Sequence, residues 1–296
     1  MFVTRFAPSP TGPLHLGHAY SALLAHDMAR EAGGRFLLRI EDIDATRCRP
    51  EWEAQILDDL GWLGITWDAP HLRQSDHLPA YAAALDELWR RELIYPCHCT
   101  RRDIAAAASA PQEGGDPVIG PDGIIYPGTC RNLLLPGYGK GPRPDGTALR
   151  LNMARALDSL DDHPLIFTET GAGPEGETGQ IQTSAQALRA GVGDVVLSRR
   201  DFLGSYHLSV VLDDADQDIT CVIRGQDLFE ATPIHVLLQR LLSLPTPAYH
   251  HHSLIRDDSG KRLAKRDNAR AIAALRDAGA TRETIRARVG LPAAQG

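Results

Sequence analysis

The sequence predicts an α/β fold built on a parallel sheet, and three observations lead to that prediction. A strand-like run at residues 2–6 is followed by a turn rich in Pro and Gly, a helical apolar stripe and a second strand-like run at 35–40. Strand, helix and strand in such close succession are typical of a parallel βαβ unit. Hydrophobic residues make up 43% of the 296 residues, which is enough for a core of normal size.

The first helix is marked by apolar residues at helical spacing, namely Leu16, Ala19, Leu23 and Leu24. We place its N-terminal cap at Thr11 or Gly12, with Pro13 in the first turn, because these residue types favour helix starts. The glycines at 33–34 end it.

Further along, helices are predicted at 52–63, 81–93 and 233–242, and strands at 194–198, 207–212 and 219–223. The stretch 171–177 is acidic and rich in Gly and is expected to be flexible. We divide the chain into the first half of the α/β domain (1–96), an insertion rich in Gly and Pro (97–146), the second half of that domain (147–250), and a basic loop with a short helical tail (251–296).

The net charge of −7 excludes a generally basic nucleic-acid-binding protein, so any RNA contact requires a local basic patch. No apolar run is long enough to cross a bilayer, and the N-terminus shows no secretory signal. We therefore expect a cytoplasmic protein without membrane contact. The five cysteines are odd in number, which argues against a disulfide framework, and Cys48 and Cys221 are expected to be ordinary thiols.

His15 and His18 stand three residues apart at the predicted start of the first helix and share one helix face. A helix N-terminus offers unpaired N–H groups and a partial positive charge, which suit a triphosphate. Gly17, without a side chain, would let an adenine ring approach the backbone. Two histidines at this spacing are by themselves more often a solvated surface pair.

The stretch from Arg5 to His18, RFAPSPTGPLHLGH, resembles the ATP-binding region of class I aminoacyl-tRNA synthetases, and most of all the glutamyl and glutaminyl branch. Residues 39–44, RIEDID, resemble the second strand and acidic loop of that branch. The resemblance implies a Rossmann-like catalytic domain that binds ATP with Mg²⁺. The implied ATP-binding residues in this part of the chain are Pro8, His15, Gly17 and His18.

Residues 260–266, GKRLAKR, contain two of the three lysines of the chain and resemble the KMSKS loop of the same class. Cations on such a loop can neutralise phosphates during adenylyl transfer. Arg262 stands where a lysine is usual, and Ala264 replaces a serine. The resemblance implies that Lys265, with Arg262, binds ATP, and that His15, His18 and Lys265 are the catalytic residues.

The segments 205–208 and 222–228 resemble the substrate-pocket strands of the glutamyl branch. A carboxylate is well held by a planar guanidinium that donates two parallel hydrogen bonds, which favours Arg5 and Arg224 as its ligands. Glu41 can accept from the substrate ammonium. The glutamate-binding residues implied in full are Arg5, Ala7, Ser9, Glu41, Tyr206 and Arg224.

Cys97, Cys99 and Cys130 have a spacing that suits a tetrahedral zinc site, although three unrelated reduced thiols are the alternative. His98 is an available fourth ligand, but its position between two ligands would strain the geometry. Resemblance to a small group of synthetase-like proteins implies Tyr126 as the fourth ligand and one structural Zn²⁺ per chain.

About thirty residues follow the basic loop, so we expect no anticodon-binding domain. The chain most resembles a truncated family of this branch. That resemblance implies activation of L-glutamate with ATP and transfer of the glutamyl group to queuosine in the anticodon of tRNA(Asp). We expect the protein to be a monomer. The alternatives are a related adenylyltransferase that acts on another acceptor, and a non-catalytic tRNA-binding paralogue.

Overall fold

The computed structural model describes residues 1–108, 118–134, 136–160, 163–255 and 271–293. The strands are β1 (Val3–Phe6), β2 (Arg35–Ile40), β3 (Leu72–Arg73), β4 (Ile94–Cys97), β5 (Ile119–Gly120), β6 (Gly123–Ile124), β7 (Ala148–Leu151), β8 (Leu165–Glu169), β9 (Gly179–Thr183), β10 (Val196–Ser198), β11 (Cys221–Gly225) and β12 (Ala248–His252). The α-helices are α1 (Leu16–Glu31), α2 (Pro50–Trp62), α3 (Leu78–Arg90), α4 (Arg101–Ala108), α5 (Met153–Asp158), α6 (Ala185–Gly191), α7 (Tyr206–Asp216), α8 (Thr232–Leu241), α9 (Ile272–Asp277) and α10 (Arg282–Arg288).

Two sheets with parallel pairing form the centre of the fold, as the α/β prediction requires. One has the order β1-β2-β3 and the other β11-β12-β8-β9, and only the β8–β9 pair of these sheets is antiparallel. The N–H of Thr220 donates to the carbonyl of Val3 at 2.9 Å, so β11 begins beside β1. The two sheets therefore meet where β11 begins beside β1, and they extend in opposite directions from this junction.

Helix α1 begins later than the sequence predicts, and its cap is different. His15 is the N-cap, and its Nδ1 accepts from the N–H of Gly17 at 3.1 Å. In return, Nδ1 of His18 accepts from the N–H of His15 at 3.2 Å. The predicted cap at Thr11 or Gly12 is wrong because the N–H of Thr11 is bonded to the carbonyl of Ser9 in a preceding turn.

The predicted strand at 207–212 is also wrong, since these residues lie in α7 (Tyr206–Asp216). Most of the helix is buried, including His207, Leu208 and both acidic residues near its end, Asp213 and Asp214. A short run that is buried on every side shows no helical periodicity, so its branched residues suggested a strand. Ser205 caps the helix through its hydroxyl.

Other differences concern elements that the pattern did not reveal. Strand β12 was not predicted. Residues 171–177 form the connection of the β8–β9 hairpin, and their expected flexibility remains a prediction. The predicted helices at 52–63, 81–93 and 233–242 correspond to α2, α3 and α8, and the short helical tail to α9 and α10.

Within 97–146 the described residues form α4, the β5–β6 hairpin and two short 3₁₀ turns. The segment is held by β4, which pairs with β7 in the antiparallel sheet β10-β7-β4. The proposed four-part division of the chain remains a prediction. None of the described helices is both long and apolar enough to span a bilayer.

Candidate active site

The candidate active site is a cavity of about 270 Å³ at the carboxyl ends of the parallel strands. Ala7 follows β1 directly and Glu41 follows β2, while Gly225 ends β11 and His252 ends β12, and all four line the cavity. Ligands of open α/β sheets bind at this edge, at the point where the strand order reverses, because diverging loops leave a crevice there.

Ten of the predicted ATP- and glutamate-binding residues are described, and eight of them line this cavity: Arg5, Ala7, His15, Gly17, His18, Glu41, Tyr206 and Arg224. Ser9 lines a larger neighbouring cleft of about 1000 Å³, which shares Glu41 and Tyr206 with the cavity. Pro8 is buried, and its carbonyl accepts from the N–H of Glu41 at 3.0 Å. Arg262 and Lys265 lie outside the described residues.

The two histidines of the N-terminal motif are stacked, with ring centroids 3.8 Å apart. Because Nδ1 of each ring accepts from a backbone N–H, the neutral form of each ring carries its proton on Nε2. Those N–H groups suit the oxygens of an anion. A Cβ added to Gly17 would lie 3.1 Å from Cε1 of His15, so this glycine also makes room for the His15 ring.

The described residues on both sides of 256–270 lie at this site. Leu254 and Ile255 line the cavity, and Ala271 forms an isolated β-bridge with His15. The N–H of Ile272 donates to the carbonyl of Leu14 at 2.8 Å. The chain therefore leaves from the cavity and returns to the N-terminus of α1.

A buried charge cluster lies beside the cavity. Nε and Nη2 of Arg5 donate to the two carboxylate oxygens of Asp214 at 2.8 and 3.3 Å, and Arg39 donates to Asp214 at 2.6 Å and to Glu41 at 3.3 Å. Burial raises the pKa of Asp214, but the charges and hydrogen bonds of the two arginines outweigh it and hold that pKa below its ordinary value. For Glu41 burial dominates and raises the pKa, despite Arg39.

Arg224, at the cavity end of β11, is buried among neutral groups. Its Nε donates to Nε2 of His251 at 3.1 Å, and its Nη2 donates to Oγ1 of Thr232 at 2.8 Å. Its Nη1 donates to Nδ1 of His235 at 3.1 Å and reaches the Tyr206 hydroxyl at 3.4 Å. No carboxylate of the described residues forms an ion pair with this guanidinium.

The sequence predicts that each arginine donates two parallel hydrogen bonds to a ligand carboxylate. In the structure, the two arginines have fewer N–H groups available than that. The Nε/Nη2 edge of Arg5 is occupied by Asp214, so this edge cannot bind a ligand carboxylate through two parallel hydrogen bonds. Each N–H of Arg224 has a protein acceptor, since Nη2 also donates to the carbonyl of Leu228 at 3.2 Å. The longest of these contacts joins Nη1 to the Tyr206 hydroxyl, whose pKa burial raises. A ligand carboxylate at this point would accept from the phenolic O–H of Tyr206, and it would take an N–H of Arg224 from the 3.4 Å contact with that hydroxyl.

The predicted metal ligands come together outside this cavity. The sulfurs of Cys97, Cys99 and Cys130 lie within 4.8 Å of one another, and the Tyr126 hydroxyl is 3.4 Å from Sγ of Cys99. A tetrahedral site with Zn–S bonds of about 2.3 Å separates its sulfurs by about 3.8 Å, so the donor set fits zinc. Burial raises the pKa of the Cys130 thiol, but hydrogen bonds from Tyr126 and the backbone outweigh it and lower that pKa to about 7.

Sequence reasoning missed several residues that shape the site. They are Asp214, which pairs with Arg5, and Glu169, His235, His251 and His252, which lie around Arg224 or line the cavity. The three consecutive histidines at 250–252 were the one visible signal, since such a run is unusual in a buried strand.

The chain is similar to proteins of one family. The profile described as "tRNA synthetases class I (E and Q), catalytic domain" matches residues 1–116 and 175–294. The chain is 62% identical over 289 residues to glutamyl-Q tRNA(Asp) synthetase of Rhodobacter capsulatus, which covers 98% of this chain and all of that protein. It is 42% identical to the protein of that name from Symbiobacterium thermophilum, covering 96% of this chain and 84% of the other.

The chain is also similar to solved structures of glutamate-specific tRNA synthetases. The chain superposes on a glutamate tRNA ligase from Elizabethkingia meningosepticum, crystallised in complex with its amino acid, with a TM-score of 0.69 and 29% identity. It resembles a glutamate-tRNA synthetase from Elizabethkingia anophelis equally well, at 28% identity. About 90% of this chain is covered in each case, and it spans about half the length of each of those chains.

Proposed function

Because the chain belongs to the family of class I tRNA synthetases for glutamate and glutamine, we propose that it activates L-glutamate with ATP and transfers the glutamyl group to queuosine in the anticodon of tRNA(Asp). The observation that carries the activation step is Arg224. This buried guanidinium lacks a carboxylate partner among the described residues and faces a cavity that it shares with Glu41, His15 and His18.

In the first step the α-carboxylate of glutamate attacks the α-phosphorus of ATP, and pyrophosphate leaves. The side-chain carboxylate of glutamate is held by Arg5, Arg224 and Tyr206, and its ammonium by Glu41, with Ala7 and Ser9 completing the pocket. The protein forms no covalent bond in this step. It accelerates the reaction by aligning glutamate with ATP and by stabilising the negative charge on the phosphates.

ATP lies against Pro8 and Gly17 at the start of α1 in this proposal. His15 and His18 donate from Nε2 to its phosphate oxygens, Lys265 and Arg262 approach from the basic loop, and Mg²⁺ accompanies the nucleotide as its counterion. Support comes from the described residues next to that loop, since Ile255 lines the cavity and Ala271 is bridged to His15.

In the second step a hydroxyl of the queuosine ring attacks the activated carbonyl, the ester bond forms, and AMP leaves with the bonding electrons while the hydroxyl proton is released. The choice of acceptor rests on the relatives that match this chain over most of their length and are named for tRNA(Asp). The large cleft beside the cavity, which shares Glu41 and Tyr206 with it, gives the acceptor a route to the carbonyl.

We also propose one structural zinc ion, held by Cys97, Cys99, Cys130 and Tyr126. When bound, it would tie the start of the insertion at the end of β4 to the turn at Cys130. In support, the three sulfurs lie within 4.8 Å of one another, and the Tyr126 hydroxyl is 3.4 Å from one of them.

A transfer assay with labelled glutamate tests the proposed function. We expect label on tRNA(Asp) that contains queuosine, and none on tRNA(Asp) without it or on tRNA(Glu). Label on tRNA(Glu) alone would show the alternative acceptor, and no glutamate-dependent pyrophosphate exchange at all would show a binding paralogue.

The basic loop is tested by Lys265→Ala. We expect pyrophosphate exchange to fall by at least about tenfold, since removal of one group that stabilises developing charge costs that much or more. Lys140→Ala, an exposed lysine in the insertion, is the matched control and should leave the rate unchanged. A wild-type rate for Lys265→Ala would refute the role given to this residue.

A further inference from the structure

Arg224 is held from two sides by histidines, and each of these chains of hydrogen bonds ends on a carboxylate. On one side Arg224 donates to Nδ1 of His235, Nε2 of His235 lies 3.0 Å from Nδ1 of His207, and Nε2 of His207 lies 2.9 Å from Asp122. Four residues thus link the pocket to the insertion, because Asp122 sits in the turn between β5 and β6.

On the other side the chain is shorter. Arg224 and His251 are direct neighbours on β11 and β12, and Nε of Arg224 donates to Nε2 of His251. Nδ1 of His251 lies 2.5 Å from a carboxylate oxygen of Glu169, whose other oxygen accepts from the backbone N–H of His251. All three side chains are buried.

These contacts determine the tautomer of every ring. A guanidinium has donors only, so Nδ1 of His235 and Nε2 of His251 must both be acceptors. His235 therefore carries its proton on Nε2 and donates it to His207, which in turn donates from Nε2 to Asp122. His251 carries its proton on Nδ1 and donates it to Glu169. The two rings that touch Arg224 are thus neutral and have opposite tautomers.

Burial supports the neutral forms, since His235 and His251 are each 1% exposed. Burial is the main cause that lowers the pKa of both rings, and the charge of Arg224 lowers each of them further. For His251 these effects outweigh Glu169, which by itself would raise the pKa.

We propose that His235 and His251 are positioning residues of the glutamate pocket, which fix Arg224 through opposite tautomers and separate it from the carboxylates of Asp122 and Glu169. A carboxylate in direct contact would fix the guanidinium equally well, but it would neutralise the charge that the substrate needs, as Asp214 does for one edge of Arg5. Neutral rings hold the group and leave its charge to the ligand. This inference rests on the proposed function.

Replacing each histidine by Asn or Gln tests the tautomers. The amide oxygen of Asn takes the place of Nδ1, and that of Gln takes the place of Nε2. His235→Asn and His251→Gln therefore keep the acceptor for Arg224, whereas His235→Gln and His251→Asn remove it. We expect the first pair to bind glutamate within about threefold of wild type and the second pair about tenfold more weakly, as for loss of a hydrogen bond to a charged group. Calorimetry with glutamate measures this, and ATP affinity should not change.

Asp122 offers a variant that should fold normally, because its side chain is 50% exposed. Asp122→Ala removes the last acceptor of the longer chain and should weaken glutamate binding about threefold, while Asp122→Asn, which keeps an acceptor oxygen, should restore it. Asp145→Ala is the matched control in the same insertion, with a side chain that is 96% exposed. Unchanged glutamate affinity in Asp122→Ala would contradict the claim that the hydrogen bonds from Asp122 through His207 and His235 help to hold Arg224.

The wild-type protein provides the measurement that separates this inference from the proposed function. Nitrogen NMR of protein labelled in the imidazole rings should show His235 protonated on Nε2 and His251 on Nδ1, each signal assigned by its loss in the corresponding variant. A doubly protonated ring or the reverse tautomers at pH 7 would overturn the inference. If the wild type binds no glutamate while the tautomers are as described, the proposed function fails instead.

Discussion

Two buried arginines at the cavity differ in their counter-charges, and that difference decides their roles. Arg5 shares Asp214 with Arg39, so its charge is largely compensated within the protein. Arg224 meets only neutral acceptors among the described residues, although it is equally buried, at 6% exposure against 5%. A buried cation without a paired anion is costly, so the balance favours a ligand that brings the anion.

At this scale we predict the effect of Arg224→Lys. A lysine keeps the charge but cannot reach His235, His251 and the pocket at once, so glutamate affinity should fall at least about a hundredfold with ATP affinity unchanged. Calorimetry with each ligand measures both. The control is Arg91→Lys, at an arginine that bonds the carbonyl of Leu241 instead. Equal glutamate affinity in Arg224→Lys and wild type would contradict the assignment.

At the scale of elements, the start of α1 combines two tasks. The imidazoles of His15 and His18 cap the helix through Nδ1, and this orients Nε2 of each ring. In the proposed function, capping and ATP binding therefore depend on the same side chains, and the helix N-terminus adds its own partial charge.

Gly17→Ala should disturb both tasks. Its Cβ would lie 3.1 Å from Cε1 of His15, so the ring must move, and we expect ATP affinity to fall about tenfold. Thermal stability should change little, because the weakened cap and the higher helix propensity of alanine act in opposite directions. Gly61→Ala in α2 is the control, because nothing lies within 4 Å of the added Cβ there. It should raise the free energy of unfolding by about 0.5–1 kcal/mol and leave ATP binding unchanged.

Helix α2 carries a destabilising group that makes stability depend on pH. Asp59 is fully buried, neither of its carboxylate oxygens has a hydrogen-bond partner among the described residues, and burial raises its pKa to about 6. The folded state thus binds this proton more tightly than the unfolded chain does. Its ionisation costs stability above pH 6, and this cost disappears as the pH falls from 6 towards 3.8, the ordinary pKa.

We therefore predict that Asp59→Asn stabilises the protein by up to about 3 kcal/mol at pH 7 and has little effect near pH 4, as linkage of the pKa shift requires. Denaturant unfolding at the two pH values measures this. Asp58→Asn, next to it but 63% exposed, should change stability by less than about 1 kcal/mol at either pH. A stabilisation that is the same at pH 4 and pH 7 would contradict the stated cause.

At the scale of the whole molecule, the cysteine cluster and the sheet edge are separate centres joined through the insertion. Cys97 belongs to β4, and Cys130 follows the hairpin that carries Asp122, so the same segment contacts the cluster at its ends and His207 at its turn. A change in the conformation of the insertion is therefore expected to alter both the thermal stability of the protein and the position of His207 next to the pocket.

Removal of metal from the purified protein should test this connection. We expect about one zinc per chain before chelation, and afterwards a lower midpoint of thermal unfolding, because metal binding free energy is folding free energy in such sites. Cys130→Ser should lower the zinc content in the same way, and Cys48→Ser should retain it. A zinc content far below one per chain, in material never exposed to chelator, would count against the site.

Local patterns in the sequence sufficed for the βαβ unit, and they selected histidines, arginines and cysteines that the fold brings together at the cavity or in the sulfur cluster. The roles given to these residues remain predictions. Such signals lie within a few residues of one another, or within segments that resemble a known family. Periodicity failed where burial was complete, as in α7, and it gave no reason to place the cap of α1 at His15. The division of the chain into four segments remains a prediction.

What only the tertiary structure decided is which groups face each other across the fold. Asp214 joins Arg5 from 209 positions away, and Asp122 reaches His207 over 85. Side-chain charge and tautomer depend on such contacts, because in a buried site the neighbours, and not the residue type, determine which form is stable. The sequence by itself therefore determined which chemical groups are available for binding an acidic amino acid and a nucleotide, while the packing of β11, β12, α7 and α8 determined that Arg224 keeps its charge for a ligand.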